Sequence, residues 1–260
     1  MPESVELISD GLKRTVKVDF YPPPDTKDFS SCSLLLINDG QDLMTMNFES
    51  ILSKLRNSNQ IKPLICVGIH CGDDRRNEYG MVSSPDYQGR GSKARLYEEF
   101  VLNELFPCIY EHFGVSVFKE TAIAGFSLGG LNAMDTAWNH PDIFPKVGVF
   151  SGSFWWRSKD QSAKDYNGAT DRIMQRHVRE GGFHKGMKFF FQVGELDEAE
   201  DRNKNGVIDS IDDTLDLMRI LIFKGYREGA DIKYLQLADG RHDVGTWARA
   251  LPVFLKWGWS

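Results

Sequence analysis

Apolar positions fall into short unbroken runs, separated by longer stretches in which they recur every three or four residues. Leu34-Leu35-Leu36-Ile37 within Ser33–Asn38 and the run Leu64–Ile69 are of the first kind. Runs this short suit strands buried on both faces of a sheet. Thr121-Ala122-Ile123-Ala124, Lys146–Phe150 and the phenylalanine-rich Met187–Val193 read the same way. Thr15–Tyr21 alternates and reads as an early strand, closed by Pro22-Pro23-Pro24, and Ile232–Leu237 reads as the last one. Helical spacing predicts helices over Asn47–Arg56, Lys93–Phe113, Leu128–Asn139, Thr170–Glu180, Asp213–Glu228 and Val244–Trp257. Asp212 or Asp213 would cap the fifth of these, and Pro107 would kink the second. Strands alternating with helices predict an α/β fold: a mostly parallel central sheet of about eight strands with helices on both faces. Residues 1–260 suit a single domain, without internal repeats or a low-complexity linker.

Charge narrows the function classes. Thirty-one Lys and Arg against thirty-seven Asp and Glu give a net charge of −6, and the longest basic cluster is Arg75-Arg76. Nucleic acid is therefore not expected as the main partner. No run of eighteen apolar residues is present to span a membrane. Four scattered cysteines do not make a disulfide scaffold. Met1-Pro2-Glu3-Ser4 lacks a signal-peptide pattern, which leaves the cytoplasm as the default compartment unless a leader has been removed.

The first candidate chemistry is Gly125-Phe126-Ser127-Leu128-Gly129, a G-x-S-x-G pattern between a predicted strand and a predicted helix. That context lifts a serine hydroxyl out of the sheet on a strained turn and aims the first amides of the helix at developing negative charge. Ser127 is thus a candidate nucleophile. A serine needs a base, and the base needs an orienting carboxylate, both expected after later strands on the same sheet edge. Of six histidines, His242 alone follows the last predicted strand. Gly194-Glu195-Leu196-Asp197-Glu198 follows the strand before it; Asp197 is favoured as the acid, with Glu195 and Glu198 as alternatives. The oxyanion donors would be the backbone N–H groups of Leu128, next after the serine, and of Gln41, in the loop after Leu34–Ile37.

With these residues in hand, the chain resembles the esterase D-like branch of the α/β hydrolases, which includes enterochelin esterase-like and feruloyl esterase-like enzymes. The resemblance runs from about Leu34 to Trp257. It is carried by Asp39-Gly40-Gln41, Arg76-Asn77-Glu78-Tyr79, Gly125–Gly130, Ser151-Gly152-Ser153 with Phe154-Trp155-Trp156, Gly194…Asp197, and Gly240-Arg241-His242-Asp243 with Trp247. It implies an α/β-hydrolase fold, a triad of Ser127, Asp197 and His242, Gln41 and Leu128 as oxyanion donors, and no cofactor for catalysis.

A second pattern lies just downstream. Asp201 to Asp212 fits D-x-[DN]-x-[DN]-G over a twelve-residue loop, and resembles the calcium loops of EF-hands and dockerins. Its ligands would be Asp201, Asn203, Asn205, the Val207 carbonyl, Asp209 and Asp212. A structural Ca²⁺ there would fix the loop that carries the acid, and would favour an extracytoplasmic life. Phe154, Trp155 and Arg76 are candidates for a substrate pocket, since aromatic planes beside polar groups suit sugars or aromatic acyl groups. The expected function is a serine esterase acting on a small-molecule or carbohydrate ester. Acyl transfer to a sugar alcohol and a non-catalytic binding module on the same fold are the rivals.

Overall fold

The computed structural model describes residues 2–24 and 26–260. Eight strands form one sheet: β1 (Glu3–Ser9), β2 (Arg14–Tyr21), β3 (Ser33–Asn38), β4 (Leu64–Ile69), β5 (Thr121–Phe126), β6 (Lys146–Phe150), β7 (Lys188–Leu196) and β8 (Ile232–Arg241). Their order is β1-β2-β4-β3-β5-β6-β7-β8. The β1/β2 and β2/β4 pairs are antiparallel, and every pair from β4 to β8 is parallel. The expected mostly parallel sheet is therefore present. Helices α1 (Phe48–Asn57), α2 (Arg75–Glu78), α3 (Ala94–Phe100), α4 (Phe106–Phe113), α5 (Leu128–Asn139), α6 (Gly168–Asp171), α7 (Ile173–Glu180), α8 (Asp209–Lys224) and α9 (Val244–Trp259) complete it.

The unbroken apolar run of β3 has a direct cause. Leu34 and Leu36 enter one core with Phe100, Ile109, Leu131 and Leu217, while Leu35 and Ile37 enter the opposite core with Leu52, Leu55, Leu251 and Phe254. Successive side chains point to opposite faces, and helices cover both, so no polar position is tolerated.

The structure departs from the sequence reading in several places. β1 was not expected; its Val5 and Leu7 pack on the core while intervening residues face solvent, and the strand is too polar to read as buried. The long helix expected over Lys93–Phe113 divides into α3 and α4 around a π-helical turn at Val101–Leu105. That wider turn gives room to Pro107, which lacks an N–H and would crowd the carbonyl four residues back. Thr170–Glu180 breaks at Arg172, whose extended backbone separates α6 from α7. Helix α8 starts at Asp209 rather than Asp213, with Asp209 and Asp212 in the first turn where the helix dipole favours carboxylates. It stops at Gly225, which has φ of 114°, before the expected Glu228. β7 and β8 run on past their apolar segments to Leu196 and Arg241. β8 lies at the edge of the sheet, so its polar outer residues disguise continued pairing.

Candidate active site

Ser127 sits between β5 and α5 with φ of 54° and ψ of −119°, a conformation that a side-chain-bearing residue rarely adopts. Four backbone hydrogen bonds hold it there. Its N–H donates to the Phe150 carbonyl at 2.8 Å, and its carbonyl accepts from Gly130 at 3.0 Å and from Leu131 and Ser153 at 3.1 Å each. Close packing does the rest. A Cβ on Gly125 would lie 2.2 Å from the Gly129 carbonyl oxygen, and one on Gly129 would lie 2.5 Å from the Asp39 carboxylate. Only hydrogen fits at either position, which fixes how near strand, helix and the loop after β3 can come.

His242 reaches this serine from the other end of the sheet: its Nε2 lies 2.8 Å from Ser127 Oγ. It occupies the turn between β8 and α9, and that turn is doubly tied. Asp243 caps α9 by accepting from Thr246 N at 2.7 Å, and Arg241 N donates to Thr246 Oγ1 at 2.9 Å. The ring stands edge-on to Trp247 at 5.3 Å, and Trp247 in turn stacks on Phe126 and donates to Ser151 Oγ. The other five histidines are engaged elsewhere: His70 with Asp19, His112 against Phe20, His140 with Glu98, His177 with Asn139 and His184 against Trp138.

Register places the three candidate acids differently. Across an irregularity after Gly194, Leu196 of β7 pairs with Arg241 of β8, so the next residues, Asp197 and His242, emerge side by side. Both Asp197 carboxylate oxygens are buried and accept no hydrogen bond among the described residues. A buried carboxylate demands a donor, and the charge of Asp197 is felt at the imidazole. Glu195 points outward and accepts from Gln236 at 2.8 Å. Glu198 accepts from the Ser210 N–H, and burial pushes its carboxyl up to about 7. The His242 pKa is lowered from the ordinary imidazole value, chiefly by desolvation and also by Arg75, against the opposing pull of Asp197 and Asp243.

The N–H groups of Leu128 and Gln41 meet no protein acceptor among the described residues. Gln41 belongs to a short 3₁₀ turn that follows Asp39, whose φ of 62° reverses the chain at the end of β3.

The pocket candidates fare differently. Phe154 is fully buried and packs edge-on to Phe191 in the core. Arg76 is exposed on α2, and its neighbour Arg75 turns inward instead, a choice the Arg-Arg doublet did not reveal. Trp155 does line a cleft of about 570 Å³, with Tyr87, Arg90, Arg157, Glu198 and Glu200. Arg90 stacks 4.8 Å over its ring.

Within Asp201–Asp212 four side chains converge. Asn203 and Asn205 both donate to Asp212 Oδ2 at 2.8 Å, and Asp201 accepts from the Asn205 and Gly206 N–H groups. Asp209 stands apart, occupied by the Arg202 N–H and guanidinium. Among the described residues no group of three or more His, Cys, Asp or Glu side chains is placed to hold a metal; this cluster holds two carboxylates and two carboxamides.

Residues 9–257 match the family described as Putative esterase. A protein of Bacillus subtilis (strain 168), the uncharacterized protein YbbA, is 26% identical over 144 residues, 54% of this chain and 57% of that one. Among solved structures, the enterobactin esterase FES from Shigella flexneri in the presence of enterobactin superposes with a TM-score of 0.75 at 20% identity, covering 98% of this chain and 58% of that one. A ferulic acid esterase gives 0.71 at 17% identity, covering 99% and 96%. The siderophore hydrolase EstB from Aspergillus nidulans gives 0.69 at 18% identity, covering 99% and 95%. At these identities the structural matches speak to the fold. The chain spans little more than half the length of YbbA and of the enterobactin esterase.

NMR titration of the His242 ring should give a pKa below the ordinary 6.5, so that the neutral, proton-accepting form persists to lower pH than in a free imidazole. Asp197→Asn removes a charge that favours the imidazolium and should lower the value further. A titration unmoved by Asp197→Asn would separate the two residues.

Proposed function

The chain belongs to the esterase family, and from that premise we propose that it is a serine carboxylic-ester hydrolase working through an acyl-enzyme. The observation that carries the reading is the 2.8 Å contact between His242 Nε2 and a Ser127 Oγ raised on a strained turn. Ser127 Oγ attacks the ester carbonyl while His242 Nε2 takes its proton. Asp197, at the neighbouring position across β7 and β8, has both oxygens without a hydrogen bond among the described residues and would take up the Nδ1–H, hold the tautomer that leaves Nε2 free, and stabilise the imidazolium that forms. The oxyanion lies between the Leu128 and Gln41 N–H groups, which otherwise lack protein acceptors. Collapse breaks the bond to the leaving alcohol, which takes the proton from His242. Water then attacks the acyl-enzyme with the same imidazole as base, and Ser127 is restored.

The cleft beside Trp155 would take the larger part of the substrate. Its polar rim and aromatic wall suit an ester of a carbohydrate or an aromatic acid. The structural neighbours named for ferulic acid and siderophore chemistry support the same range. One domain suffices, since Ser127, Asp197 and His242 all arise from one sheet.

The loop Asp201–Asp212 would hold a structural divalent cation, calcium by its oxygen donors. Asp201, Asn203, Asn205, the Val207 carbonyl and Asp212 would be the ligands, without Asp209, which is paired with Arg202. The two asparagine amides now turn their nitrogens to Asp212, so they would rotate to present oxygen. Two carboxylates then face two positive charges, a balanced set for this ion. Bound calcium would stiffen the segment between Asp197 and α8.

Ser127→Ala should lower p-nitrophenyl acetate turnover by roughly 10⁴-fold or more while leaving the fold intact. Undiminished turnover would reject the nucleophile. Calorimetric titration with calcium should release or absorb heat and raise the melting temperature, and Asp201→Ala should abolish both effects. No heat with the unaltered protein would reject the cation.

A further inference from the structure

The loop after β3 is held by an arrangement that the reaction scheme above does not use. Asp39 is 1% exposed and carries a left-handed backbone, with φ of 62° and ψ of 42°. A buried carboxylate on a strained turn costs stability unless its oxygens are satisfied. Arg75, on α2, satisfies both. Its Nε donates to Oδ1 at 2.7 Å and its Nη2 to Oδ2 at 2.7 Å, the paired geometry that a planar guanidinium supplies and an ammonium does not. The same Nη2 reaches the carbonyl of Phe126, the residue before Ser127, at 3.3 Å.

Further bonds surround this pair. The Asp39 N–H donates to the Tyr79 hydroxyl at 3.1 Å, and the Gln41 side-chain amide donates to Asp39 Oδ1 at 3.2 Å. Gln41 Oε1 accepts from the Cys71 N–H at 3.1 Å, tying the turn to the end of β4. Asp39 Oδ2 also lies where a side chain on Gly129 would have to go. One guanidinium thus joins the turn that carries the Gln41 N–H to the strand end that carries Ser127. The distance between the two proposed oxyanion donors depends on that junction.

We propose that Arg75, acting through Asp39, is a positioning residue that sets the spacing of the Gln41 and Leu128 N–H groups around the oxyanion. The inference rests on the serine-hydrolase reading of Ser127. It requires the fork as well as the charge of Arg75. The charge has a second consequence, since Arg75 also opposes protonation of His242.

The test uses the full chain and begins by labelling the unaltered protein with a fluorophosphonate. Absence of label on Ser127 defeats the underlying reading, whatever Arg75 does. With label present, Arg75→Lys and Arg75→Gln are compared with the unaltered protein for kcat, KM and affinity for phenylboronic acid, a tetrahedral mimic that forms an oxyanion-like adduct. Both variants should lose about tenfold to a hundredfold in kcat, with KM changed by less than about threefold, and boronate affinity should fall in parallel with kcat. The acid limb of kcat/KM should move to higher pH in Arg75→Gln only, because that variant alone removes the positive charge. Added guanidinium ion should restore part of the lost kcat to Arg75→Gln. Unaltered kcat and boronate affinity in Arg75→Lys would overturn the proposal. So would losses confined to melting temperature. Arg75→Lys decides the matter even if Arg75→Gln fails to fold, because it keeps the ion pair while breaking the fork.

Discussion

A single strained residue governs this architecture. Ser127 is held at a φ of 54° that costs about 1–3 kcal/mol. That strain persists only because the surroundings leave no alternative. The N–H and carbonyl of Ser127 are both engaged, to Phe150 on one side and to Gly130, Leu131 and Ser153 on the other. β5 and α5 meet so closely at Gly125 and Gly129 that the chain cannot relax by sliding. A parallel sheet with helices on both faces provides this rigidity, because the strand ends are anchored in two apolar cores at once.

The electrostatic design follows from where the strands end. Parallel strands bring their carboxyl ends to one edge, so β5, β7 and β8 deliver Ser127, Asp197 and His242 to the same place from distant points in the chain. Desolvation and Arg75 keep the imidazole less basic than usual, while Asp197 restores part of its proton affinity. The two opposing effects suit the role proposed for His242, a base neutral at rest and cationic in passing. Arg75 belongs to both halves of this arrangement: it acts electrostatically on the His242 imidazole and holds the loop after β3 by hydrogen bonds.

Much of this was legible in the residues. The runs at Leu34–Ile37 and Leu64–Ile69 are unbroken because both faces are buried, and the strand–turn–helix setting of Ser127 follows from Gly125, Gly129 and the spacing after them. His242 could be singled out because it alone follows the last strand. Less was visible where partners lie far apart in sequence. Asp197 is favoured over Glu195 from the sequence, but the register that sets Leu196 opposite Arg241, after a shift at Gly194, is encoded by no local pattern. Strands β7 and β8 outrun their apolar segments because β8 has an open edge. Phe154 reads as a pocket residue from its neighbours, yet it packs on Phe191. The inward turn of Arg75 rather than Arg76 depends on the phase of a four-residue helix, and the separation of Asp209 from the loop cluster depends on the prior claim of Arg202.

The most direct measurement is a crystal structure of the protein after reaction with an alkyl phosphonate ester. The account predicts phosphorus bonded to Ser127 Oγ, one phosphonyl oxygen within hydrogen-bond distance of both the Leu128 and Gln41 N–H groups, and the His242 ring between Ser127 and Asp197. Phosphorus on another residue, or a phosphonyl oxygen turned away from both N–H groups with His242 displaced from Asp197, would contradict it.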